Sequence, residues 1–197
     1  LNASGTASIT AAQVNNGSTD NCGITTLVVT PSTFTCANIG PNTVTLTATD
    51  ASGNVTTDSA IVFVVDTIAP IAICQDMTVS TGPDGTVTIT AAEVNNGSND
   101  ACGIASTTID VSSFDCTNVG ANTVTLTVTD NNGNVSTCTS TVTVEDNVDP
   151  NAVCQDITVQ LSALGAAAIT AADINNGSND ACGIASTTID VSSFDCT

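Results

Sequence analysis

The segment TVTLTVTDNNGNVSTCTSTVTVED, residues 123–146, decides the fold. Val124, Leu126 and Val128 alternate with Thr123, Thr125, Thr127 and Thr129, the period of two that puts apolar side chains on one face of a strand and hydroxyls on the other. DNNGN then offers Asp to open a turn and Gly for a positive φ, and VSTCTSTVTVED resumes as a second strand. The pair reads as an antiparallel hairpin with one packed and one solvated face.

Working outward, AICQDMTVS (72–80) reads as a first strand, TGPDG (81–85) as a turn and TVTITAAEV (86–94) as a second strand. A loop opens at Asn95, GIASTTIDV (103–111) is a third strand, and SSFDCTNVGAN is an irregular crossing. No segment combines a helical period with a cap. The expectation is an all-β chain.

Setting each position against the one 80 residues later aligns Gly5 with Gly85, Asp50 with Asp130, Asp66 with Asp146 and Pro70 with Pro150. NNGSNDACGIASTTIDVSSFDCT even recurs letter for letter at 95–117 and 175–197. A unit of this size matches a small immunoglobulin-like β-sandwich and exceeds most solenoid repeats. The reading is tandem sandwiches arranged as a rod: 1–68 lacking its first strand, 69–148 complete, and 149–197 stopping after the third strand and crossing. Leu1 aligns with Thr81 and Thr197 with Thr117, so the chain reads as a window on a longer exported array.

Composition removes several function classes. There is no Lys, Arg, His, Tyr or Trp among 197 residues, against 19 acids. A chain without cations cannot neutralise phosphates, so nucleic acid is excluded as a partner, and so is attraction to an anionic membrane surface. The usual general bases, amine nucleophiles and oxyanion donors are also missing, which argues against an enzyme and leaves a carboxylate-based hydrolase as a distant third reading. A net charge of −19 with no internal cation calls for an external one.

Nine cysteines fall into three classes. Cys22, Cys102 and Cys182 precede the third strand; Cys36, Cys116 and Cys196 lie beyond it, each 14 residues after the first cysteine of its repeat; Cys74, Cys154 and Cys138 lie on first and last strands. The spacing suggests Cys22–Cys36, Cys102–Cys116 and Cys182–Cys196 within each repeat. Cys74 is expected to pair with Cys138, because first and last strands neighbour each other in such sandwiches, and Cys154 with a residue beyond the chain. A reduced thiol array or a zinc site is the alternative; clustered ligands at short spacing are absent, which favours disulfides. An oxidising, extracellular setting follows.

Acids converge where one repeat meets the next. The linker Asp66, the loop Asp100 and the turn Asp130 are expected together at one junction, and Asp146 and Asp149 with Asp180 at the following one, Asp20 and Asp50 being the first repeat's equivalents. Carboxylate and backbone oxygens are the hard ligands Ca²⁺ takes, so structural calcium is the expected cofactor. Turn formation explains any single Asp equally well.

The combination ITAAEVNNGSNDACGI, TVTLTVTDNNGNVSTCTSTVTVED and CQDITV resembles the hyalin-repeat-like, immunoglobulin-like tandem modules of very large secreted surface adhesins of Bacteroidetes-type bacteria. The resemblance implies secretion, cell-surface attachment and a part in an adhesive stalk or filament, and supplies no catalytic residue. It also implies O-glycosylation at DSA and DTI, hence at Ser59 and Thr67. The function expected is a structural stalk segment whose partners are neighbouring repeats of the same chain or filament, with no membrane insertion. A glycan- or protein-binding adhesive module is the rival, weakened by the want of Trp and Tyr.

Overall fold

The computed structural model describes residues 1–196. Its elements, in chain order, are β1 (Thr6–Ser8), α1 (Ala11–Val14), β2 (Ile24–Thr30), β3 (Thr33–Thr35), β4 (Gly40–Asp50), β5 (Val55–Val64), β6 (Met77–Ser80), β7 (Thr86–Thr88), α2 (Ala91–Val94), β8 (Ile104–Ile109), β9 (Ser113–Asp115), β10 (Gly120–Asp130), β11 (Val135–Glu145), β12 (Ala167–Ala168), α3 (Ala171–Ile174) and β13 (Ser193–Phe194). The chain is all-β apart from single helical turns. The opening hairpin is β10 and β11: Val124, Leu126 and Val128 are fully buried, as the alternation requires.

Two compact units form. The first comprises Leu1–Cys74, Asn95–Ile109 and Thr125–Thr139; the second comprises Gln75–Val94, Asp110–Val124 and the residues from Ser140 onward. The middle sequence repeat thus contributes to both. In the first unit β2, β4 and β5 make an antiparallel sheet and β1 pairs with β3. Val29, Phe34, Val44 and Val64 are its core, with Ile9, Val14, Ala60 and Val62 packed against them. The small sheet and the larger one therefore meet across shared apolar side chains.

In the second unit β7 pairs with β9, and β6 runs parallel to β11 with Val142 opposite Met77 and Val144 opposite Val79. First and last strands are neighbours, as expected. The first strand is nevertheless shorter than 72–80: Cys74 bridges to Asn95, and ladder pairing with β11 begins only at Met77. Between them Ser140 Oγ donates to Gln75 O (2.6 Å), and the Thr141 amide donates to Asp76 Oδ1 (2.7 Å). This change of partner shifts the alternation between Cys74 and Met77, which are three residues apart and both half-buried.

The expected strand 86–94 is also corrected: its second half is a helical turn, α2. The Glu93 carboxylate accepts from the Thr90 amide (2.7 Å) and the Thr90 hydroxyl (2.8 Å), half of a capping box; Gln13 and Asp173 reach back to Thr10 and Thr170 in the same way. Bonds from the Thr90 side chain and amide hold the Glu93 carboxyl below its ordinary value of 4.5. A depressed carboxyl stabilises the turn above its unfolded pKa and loses that contribution as pH falls through its folded one. The Thr90 amide resonance is therefore expected to titrate with a midpoint below 4.5, and Glu93→Gln, which mimics Gln13, to abolish that titration.

Three disulfides form: Cys74–Cys138, as expected, and Cys36–Cys102 and Cys116–Cys182, which are not the pairs the spacing suggested. Each of the latter two joins a crossing to the loop of the following sequence repeat, 66 residues on. The physical reason is strand length. The seven residues of β2 lie between Cys22 and Cys36 and span ~23 Å at ~3.3 Å per residue, which the three residues of β3 do not retrace. Bonded cysteines need Cα atoms within about 7 Å, and Cys36 and Cys102 stand at 5.3 Å. The same argument separates Cys102 from Cys116 across β8, and Cys182 and Cys196 are likewise not joined. Cys22, Cys154 and Cys196 are exposed thiols.

Candidate metal centres and disulfide seats

Each candidate metal centre begins with a linker. In VVDTIAP the chain leaves β5 and buries Asp66, whose Oδ1 accepts from the Ile68 amide (3.2 Å). Loop residue Asp100 turns back in the same way, its Oδ1 accepting from the Cys102 amide (2.7 Å). Ligand atoms of Asp66, Asp100 and Cys102 lie within 4.8 Å of one another. Cys102 is bonded to Cys36 and has no thiolate to offer, so only the two carboxylates remain as candidate ligands.

The arrangement recurs in the second unit with Asp146, Asp180 and Cys182, again within 4.8 Å and again with the sulfur in a disulfide. Asp146 Oδ1 accepts from the Val148 amide (3.2 Å) and the Thr81 hydroxyl (3.3 Å), and Asp180 Oδ1 from the Cys182 amide (2.8 Å). Asp180 Oδ2 is buried with no hydrogen-bond partner. Two carboxylates this close repel by about 3 kcal/mol at an effective dielectric near 20. A cation between them would turn that repulsion into attraction, and with sulfur unavailable the donor set is purely hard oxygen.

The other expected ligands stand elsewhere. Asp130 is buried but committed to its own turn: its carboxylate accepts from the amides of Asn132 and Asn134 (both 2.8 Å) and from Asn134 Nδ2 (2.7 Å). Burial would raise its pKa, but the bonds from the Asn134 side chain and the turn amides outweigh it and hold the group below 3.8. Asp50 has the same turn, with Asn54 supplying the main bonds that lower it. What the turn sends to the linker is an amide: Asn134 Nδ2 donates to Asp66 O (3.3 Å) and Ile68 O (3.2 Å). Asp20 turns onto the Cys22 amide (2.7 Å), and Asp149 is exposed; among the described residues neither belongs to a cluster. Ser59 and Thr67 are both exposed.

A feature that the cysteine count did not reveal is the seat in which each disulfide rests. Gly5 closes a turn onto Asn2 O (2.9 Å) and has φ +69°; a Cβ there would stand 2.7 Å from Cys36 Sγ and 3.2 Å from Ala101 Cβ. Gly85 repeats this with φ +73°, 2.7 Å to Cys116 Sγ and 3.0 Å to Ala181 Cβ. The signal in the sequence was the glycine alignment, Gly5 with Gly85 and Gly165, paired with alanine before the loop cysteine.

No protein-family model matches the chain, and no curated protein matches it. Among the described residues no helix is long and apolar enough to cross a membrane. Three disulfides mark an oxidising environment.

Proposed function

We propose that the chain is a segment of an extracellular fibre or stalk, built of tandem immunoglobulin-like sandwiches of the hyalin-repeat-like kind, secreted and displayed at a bacterial surface. The observation that carries this reading is the pair of disulfides Cys36–Cys102 and Cys116–Cys182, which tie successive sequence repeats at an identical separation of 66 residues. A covalent tie repeated at a fixed interval limits how far repeats can part under load, which a stalk needs and a catalyst does not. Small-angle scattering tests it. A compact globule of this length has a radius of gyration of about 16 Å, and a rod must exceed that clearly. A value near 16 Å would overturn the rod.

Calcium is the proposed structural cofactor, held by Asp66 with Asp100 and by Asp146 with Asp180. The residues fit in chemistry, all hard oxygen, and supply only part of a six- to eight-fold shell, so water completes it and the affinity belongs to the ~10⁻⁴–10⁻³ M class of extracellular modules. At a hundredfold excess over Kd, bound calcium contributes about 2.7 kcal/mol. Raising Ca²⁺ from chelated to ~10 mM is therefore expected to lift Tm by several degrees, and Asp66→Asn with Asp146→Asn to erase the lift. An unchanged Tm in the native chain would sink the calcium assignment.

A further inference from the structure

Strand β2 lies at the edge of its sheet. Among the described residues its ladder partner is β4 alone, and in the middle sequence repeat β8 holds the same place beside β10, at the end of the order β6-β11-β10-β8. The open edge is thus a property of the fold, present in both repeats. An edge strand leaves the N–H and C=O groups of alternate residues without a ladder, a template on which another strand can add, and proteins commonly guard it with charge, proline or a bulge.

The edge of β8 carries such a guard and that of β2 does not. Thr26-Leu27-Val28-Val29-Thr30 aligns with Ser106-Thr107-Thr108-Ile109-Asp110, and Asp110 is exposed. Residues 21–49 include no acid, in a chain of net charge −19. The bulge in β2 lies between Ile24 and Thr26 and Pro31 lies past its end, so residues 26–30 run in unbroken register against residues 45–49. Thr26, Val28 and Thr30 face solvent, Val28 with 54% of its surface exposed, while Leu27 is half-buried and Val29 buried. These five residues read alike in both directions. Turned end for end about Val28, Thr26 faces Thr30, Leu27 faces Val29 and Val28 faces its own counterpart. Outward side chains then meet outward ones and inward meet inward, a match that a slip of one residue would undo.

We propose that β2 pairs antiparallel with β2 of a second copy of this chain, joining the three-stranded sheets of the two copies into one continuous sheet. The occupant follows from the chemistry of the strip. A partner drawn by charge would seek carboxylates, and this strip has none. What fits it is an uncharged strand with threonines at its ends, an apolar centre and the same alternation, and β2 is itself that strand. The contact is isologous, so it closes as a dimer. So short a ladder buries far less than the ~1,600 Å² of a standard interface, which makes the dimer weak. It also makes it strengthen with salt: two copies of charge −19 repel, and the Debye length falls from ~30 Å at 0.01 M to ~3 Å at 1 M.

The test is sedimentation equilibrium of the full chain in EGTA with its exposed thiols alkylated, so that neither calcium nor a new disulfide joins copies and the outcome stands apart from the calcium assignment. Native chain should dimerise with rising concentration, more tightly at higher salt, while alternate amides of residues 26–30 gain protection from hydrogen exchange. Val28→Lys and Val28→Glu should each weaken the dimer by about tenfold or more, because like charges then stand opposite each other at the twofold axis. An equimolar mixture of the two should recover the dimer as a heterodimer, which also shows that both variants fold. Thr30→Asp, which copies the residue of the second repeat, should weaken it as well, whereas Thr108→Lys on β8 should leave it unchanged. A chain that stays monomeric at every concentration, a dimer indifferent to Val28→Lys, one that loosens as salt is added, or a mixture that fails to pair would overturn the proposal.

Discussion

Replacing Cys36 and Cys102 together by alanine is expected to lower the unfolding free energy by about 4 kcal/mol, read from urea melts in which the slope rises because the unfolded chain, no longer cross-linked, exposes more surface. The bridge spans 66 residues, and in the chain-entropy account the loop it closes in the unfolded state costs more configurational freedom than the 14-residue loops the cysteine spacing suggested, which would be worth about 3 kcal/mol each. The sharper contrast lies in a single substitution. If Cys36 were bonded to Cys22, Cys22→Ser would cost as much as Cys36→Ser. With Cys36 bonded to Cys102 and Cys22 an exposed thiol, Cys22→Ser should stay within about 0.5 kcal/mol of the native chain, as surface substitutions do. Equal losses at the two positions would restore the within-repeat pairing and remove the main support for the stalk.

The strands were legible because their signal is local: a period of two in Val, Leu and Thr has one structural meaning, and β10 buries the side chains it nominates. The helical turns carry a local signal too. Thr-Ala-Ala followed by Gln13, Glu93 or Asp173 is the capping pattern, but four residues are too few to show a period, and Val and Ile around them suggested continued strand. The cysteine register was misread because short separation in sequence is not proximity when an extended strand lies between. Among the acids, Asp66 with Asp100 and Asp146 with Asp180 do meet, since linker and loop are fixed by the first-strand bridge pairs Ile71 with Asn99 and Asn151 with Asn179. Asp130 does not join them, because three donors in its own turn hold its carboxylate. Nor could sequence show that Asn134 would take over the contact with the linker; that follows only from which face of the turn meets the chain.

The second large effect is expected at Gly85. Alanine there must hold φ near +73°, which costs a non-glycine residue about 1–2 kcal/mol. Its Cβ would also stand 2.7 Å from Cys116 Sγ and 3.0 Å from Ala181 Cβ. Neither neighbour can yield easily: the sulfur is fixed by its bond to Cys182, and Ala181 immediately precedes that cysteine in the chain. Overpacking of this kind adds about 1–3 kcal/mol, for a total loss of roughly 2–5 kcal/mol. Gly165→Ala provides the control. Its φ of +74° is the same, but Cys196 is unbonded and exposed and can turn away from the added methyl, so only the backbone cost of about 1–2 kcal/mol should remain. Denaturant melts of the two variants separate the contributions, and combining Gly85→Ala with Cys116→Ala and Cys182→Ala should bring the Gly85 cost down to the Gly165 value. Equal losses at the two glycines in the native background would mean that backbone conformation alone demands glycine, and that the disulfide does not need the seat; a larger loss at Gly85 ties the glycine to the sulfur it receives.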